Sequence, residues 1–153
     1  MAAAERTLTV RIPAGVDDGQ RIRLAGKGSA GERGGPPGDL YVVVHVTPHP
    51  LFGRRGPNLT LTVPVSFAEA VLGAEVAVPT LDGAPVTLRI PSGTSSGRTF
   101  RVKGRGVPGR NGPGDLLVTV EVAVPAKVSG KARDALETLE RELPGSELRK
   151  ELL

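Results

Sequence analysis

Apolar and polar side chains alternate through most of this chain. Leu8, Val10 and Ile12 alternate with Thr7, Thr9 and Arg11, which predicts a half-buried strand over residues 6–12. Pro13 ends it, the turn-rich residues 14–19 follow, and Ile22 and Leu24 then alternate with Arg21 and Arg23. Residues 26–38, dense in Gly and Pro, predict a loop. Leu40, Val42, Val44 and Val46 next share one face of a strand over residues 39–46. Residues 48–57 read as an irregular linker, after which Leu59, Leu61, Val63 and Val65 predict a strand over residues 58–65. Ser66 stands three positions before Glu69, with Gly73 as the stop, the signature of a capped short helix. Residues 74–80 and 84–90 alternate on either side of Asp82-Gly83 and predict a hairpin. Residues 117–124 form the last alternating run. The period then changes: Val128, Ala132, Ala135, Leu136, Leu139 and Leu143 fall at helical spacing, with Arg133, Asp134, Glu137, Glu140 and Arg141 off the stripe. Pro144-Gly145 ends that helix and leaves a tail of undetermined structure.

The plan is written twice. Residues 11–28 return as residues 89–106, with Gly15, Gly19, Gly26 and Gly28 in register with Gly93, Gly97, Gly104 and Gly106. Gly38-Asp39-Leu40 matches Gly114-Asp115-Leu116, and the loop before it is two residues shorter in the second copy. The pattern predicts an all-β protein of two tandem β-sandwich-like domains, with a short helix in the second and a C-terminal helix. The expected boundaries are 1–56, 57–126 and 127–153. A strand, a helix and a hairpin precede the second copy, whereas only residues 1–10 precede the first, so the first domain is expected to be incomplete at its front.

Composition narrows this picture. Aromatic residues make up 3% of the 153 residues, so the core must be aliphatic, which suits strands. The absence of Cys removes disulfides, thiolate catalysis and sulfur-ligated zinc. Residues 1–6 lack the apolar run of a signal peptide, and no stretch has the length of a membrane span; a soluble, cytoplasmic protein is expected. The formal charge of +4 permits contact with nucleic acid without requiring it.

Candidate chemistry is sparse. Gly26–Gly31 and Gly104–Gly109 fit G-x-G-x-x-G, but Gly and Pro follow each where a phosphate-binding helix would have to open, so turns are the better reading. His45 and His49 have no second ligand at metal spacing, and no Ser lies in a nucleophile elbow. Asp39 and Asp115, at equivalent repeat positions, read as turn caps. No catalytic group, metal or cofactor is indicated. Arg21, Arg23, Lys27, Arg33, Arg54, Arg55, Arg98, Arg101, Lys103, Arg105 and Arg110 supply charge for a nucleic-acid surface, but four Phe and Tyr residues and no Trp offer little for bases to stack on. Leu51-Phe52 is an apolar pair in the linker, suited either to an exposed peptide groove or to filling a junction.

Residues 12–28, 35–42, 49–54, 79–83 and 104–108 together resemble the C-terminal substrate-binding region of DnaJ-type co-chaperones over nearly the whole chain. That resemblance implies tandem β domains that hold non-native polypeptide for a DnaK-type chaperone, and a C-terminal helix that pairs two chains. The Phe of the family's His-Pro-x-Phe segment contributes to the client pocket; Phe52 takes that position, and Leu51, Ile22 and Leu24 complete the expected peptide site. Val128, Ala132, Leu136, Leu139 and Leu143 are the expected dimer contacts. The chain has no His-Pro-Asp tripeptide, Gly/Phe linker or cysteine-rich module, so ATPase stimulation is not expected and the chain reads as a fragment or degenerate copy. A non-enzymatic, homodimeric chaperone module without a membrane partner is therefore expected. The alternatives are a basic nucleic-acid-binding β protein and a dimerisation fragment without a client site.

Overall fold

The structure is a computed structural model and describes residues 7–29 and 35–153. Arg6, Ala30, Gly31 and Arg33, which figure in the sequence reading, lie outside the described residues. The strands are β1 (Arg21–Leu24), β2 (Leu40–Val43), β3 (Gly53–Arg55), β4 (Asn58–Val65), β5 (Ala74–Val78), β6 (Val86–Ile90), β7 (Thr99–Val102) and β8 (Leu116–Val122). The helices are α1 (Phe67–Leu72) and α2 (Gly130–Glu142), with a 3-10 turn at Gly145–Arg149. The described residues thus form a mostly β protein with short helices. Its compact units are residues 1–122 and 123–153.

In the first unit, β1 and β2 form an antiparallel pair, β3-β4-β8-β7 a four-stranded sheet and β5 and β6 a second pair. The β4–β8 pairing is parallel, Leu59 opposite Leu116 through Val65 opposite Val122. The alternation puts Leu59, Leu61, Val63 and Val65 on one face of β4 and Leu116, Val118 and Val120 on one face of β8, where they are buried. Pro64 is tolerated within β4 because β3 pairs only as far as Thr60; the proline's missing N–H falls where no partner strand lies among the described residues. Ser66 and Glu69 form the reciprocal capping box that starts α1: the Glu69 N–H donates to Ser66 Oγ and the Ser66 N–H to Glu69 Oε1.

The repeat is structural down to its hydrogen bonds. Arg21 pairs with Val43 in β1–β2 as Thr99 pairs with Thr119 in β7–β8. The Gly19 N–H donates to Val44 O at 2.7 Å and the Gly97 N–H to Val120 O at 2.8 Å, while Gly28 donates to Gly38 O and Gly106 to Gly114 O. The copies differ in what covers them. β8 carries β4 on its second edge; β2 has no second strand among the described residues. Among the described residues every buried apolar residue lies between Phe52 and Val120, and none of residues 7–29 or 35–46 is buried.

Two expectations need correction. Residues 7–10 keep the burial rhythm of a strand, with Leu8 and Val10 half-buried, but Ile12 is exposed and residues 7–12 are not in a ladder. Alternation records a face and says nothing of a partner, and no strand pairs with them among the described residues. Residues 48–57 are not wholly irregular either: they contain β3, which pairs with β4 through a turn at Gly56. Three residues are too few to show a period. The tail after Pro144, undetermined from sequence, opens with the 3-10 turn.

Candidate functional site

The first copy of the repeat supplies one half of the candidate site. Ile22 faces Val42 and Leu24 faces Leu40 across the β1–β2 pair, and all four are half-buried, so this small sheet has an apolar face only partly withdrawn from water. Tyr41 and Val43 are exposed on its other face. Just beyond β2 the backbone groups of Val44 point toward the β1 side, since Val44 N–H donates to Gln20 O and Val44 O accepts from Gly19. By alternation those of Tyr41 and Val43 point to the edge that carries no strand among the described residues.

Leu51 and Phe52 belong to the other sheet, immediately before β3, and their fates differ. Leu51 is 61% exposed; Phe52 is 8% exposed and is part of the apolar core. The Phe52 ring is thus packed in the core, whereas Leu51 is presented at the surface. The local fold follows from His49, whose Nδ1 accepts from the N–H groups of Leu51 at 3.0 Å and Phe52 at 3.3 Å and whose ring meets Phe52 edge-on at 5.1 Å. His49 is a local cap, a role that its place between two prolines did not reveal. His45 stays at the surface, 3.9 Å from Asp18.

Asp39 and Asp115 cap turns. Asp39 Oδ1 accepts the Gly26 N–H at 3.0 Å, and Arg23 Nη2 lies 2.6 Å from Oδ2; Asp115 Oδ1 accepts the Gly104 N–H at 3.0 Å, and Arg101 Nη1 lies 2.6 Å from Oδ2. In each case the glycine N–H first, then the arginine, holds the carboxyl below its ordinary value. These are the residues of the G-x-G stretches. Gly26 and Gly104 adopt φ of +70° and +75°, and no helix opens within residues 104–115. The loop at Gly104–Gly109 therefore does not aim helix N–H groups at a phosphate.

Several of the candidate cations are similarly committed. Arg23 and Arg101 bind these aspartates, Arg105 reaches Asp82 at 3.2 Å and Arg98 covers the Phe100 ring at 4.8 Å. Arg105 and Asp82 border a cleft of about 380 Å³ walled by Leu81, Pro108 and Pro113. The Thr80 hydroxyl is the main cause of a lowered Asp82 carboxyl, ahead of Arg105. The sequence marks only the hairpin turn there, because the cleft depends on two loops more than twenty residues apart.

In the second unit α2 buries no residue; Val128 and Leu139 are half-buried, while Ala132, Leu136 and Leu143 are exposed. Its apolar stripe is thus largely exposed within this unit. No helix among the described residues is long and apolar enough to cross a membrane.

Comparison with known proteins is concordant. The family model for the DnaJ C terminal domain matches residues 2–125. A chaperone protein DnaJ 1 of Streptomyces avermitilis is 64% identical over 99% of this chain and 38% of its own length. The corresponding protein of Streptomyces coelicolor is 62% identical with the same coverage, and a DnaJ 2 of Cutibacterium acnes is 62% identical over 94% of the chain. The chain thus spans 38% of the length of these relatives.

Proposed function

The chain belongs to the DnaJ C-terminal domain family, and on that premise we propose that it is a non-enzymatic module that holds unfolded polypeptide and works with a DnaK-type chaperone in the cytoplasm. The observation that carries the reading is the contrast between the two copies of the repeat. The second closes on a buried core, while the first leaves Ile22, Leu24, Leu40 and Val42 half-exposed. An extended apolar segment fits that face, with alternate side chains lying against it. Leu51 adds exposed apolar surface, and Phe52 supports it from the core.

The stripe of Val128, Ala132, Leu136, Leu139 and Leu143 is proposed as the contact between two chains, which is supported by its exposure and its helical spacing. Suppression of aggregation of a chemically unfolded protein tests the reading. Ile22→Ser with Leu24→Ser is expected to abolish suppression while the buried β4–β8 core stays folded; undiminished suppression would remove β1 from the site.

A further inference from the structure

The sequence places Arg54 among the surface cations, but its guanidinium is turned onto the chain. Arg54 pairs with Leu59 across β3–β4 and so stands on the face of β3 that looks toward the core. Nη1 donates to Val16 O at 2.9 Å, Nη2 to Gly15 O at 2.8 Å and Nε to Gly56 O at 2.8 Å; Asp17 lies 3.8 Å away, and the side chain is 29% exposed. A planar fork with fixed donors suits adjacent carbonyls as a single ammonium does not. The other side of this junction is as close: Gly15 has φ of +80°, and a Cβ there would overlap Pro108 O. The turn at Pro13–Val16 is therefore gripped between Arg54 and Pro108.

The second copy shows that this turn is a docking element. Its counterpart, Pro91–Thr94, is held to α1 by the N–H groups of Gly93 and Thr94, which donate to Val71 O and Ala70 O. The first copy is held by its carbonyls instead. β3 is thus a two-way connector, with Phe52 inserted into the core and Arg54, two residues on, bound to the turn that leads into β1.

We propose that Arg54 is a positioning residue: it fixes the β1–β2 pair on the β3–β8 sheet, and through that orientation it sets how well the exposed face of β1 takes a client. Only the second part rests on the client-binding reading. Because the chain contains no Cys, labels at Arg21→Cys and Thr62→Cys, both on exposed strand positions, report the distance between β1 and β4 by electron-electron resonance in the full chain. The parent should give one narrow distribution. Arg54→Ala and Arg54→Lys should both broaden it, the second because retained charge does not restore the fork, and Gly15→Ala should do so from the other side. Amide exchange of β4 and β8 should stay slow in each, so that loss of fold is not mistaken for loss of the clasp. A narrow distribution in Arg54→Ala overturns the clasp. Several-fold weaker binding of an unfolded polypeptide should accompany the broadening; unchanged affinity overturns the positioning role. A parent that binds no polypeptide removes the client reading and leaves the distance result standing.

Discussion

Asp115 stands to Arg101 and Gly104 as Asp39 stands to Arg23 and Gly26: the same carboxylate, in both copies of the repeat, joins a strand arginine to a turn N–H. Both carboxyls are held below the ordinary value of 3.8, so the folded chain favours the charged form. That stabilisation is complete above the ordinary value and is lost as pH falls through it toward the folded-state value. Asp115→Asn should lower the melting temperature at neutral pH, and the gap from the parent should close in thermal melts taken below pH 3.8.

The two copies should also differ in energetic weight. Leu116 is 0% exposed, and Leu116→Ala should cost about 2–5 kcal/mol in urea denaturation. Its repeat partner Leu40 is half-exposed, and Leu40→Ala should cost about 1 kcal/mol or less.

Leu51 and Phe52 should separate binding from stability. Phe52→Ala removes a core ring and should destabilise by about 3–5 kcal/mol. Leu51→Ala, at an exposed position, should leave the melting temperature within about 1 °C while weakening client binding. A destabilising Leu51→Ala would place that side chain in the fold rather than in the site.

Much of this was legible in the sequence because repeat and alternation are local records of faces and turns. The capping box at Ser66, the Asp82-Gly83 hairpin and the turn-capping role of Asp39 and Asp115 follow from spacing alone. What escaped depends on partners that spacing does not name. Leu8 and Val10 show a face without a ladder, and β3 is too short to show a period. Arg54 binds backbone carbonyls, which every residue carries, so nothing in its neighbours distinguishes it from a solvated cation. Phe52 sits in a stretch without periodicity, where burial depends on the fold of the residues that follow.

The α2 stripe predicts self-association. Leu136→Asp with Leu139→Asp should convert a dimer to a monomer in sedimentation velocity, because charge would enter an apolar contact. The melting transition of residues 7–122 should not move. An unchanged dimer would place the contact elsewhere.

Binding measured as a function of salt tests the central reading most directly. On the purified chain, an unfolded apolar polypeptide and a single-stranded nucleic acid should be titrated side by side from about 50 to 200 mM salt. A polypeptide-binding module gives polypeptide affinity that changes little across the series, with nucleic-acid binding weak throughout. Tight nucleic-acid binding that falls steeply with salt, together with no polypeptide binding, would contradict it.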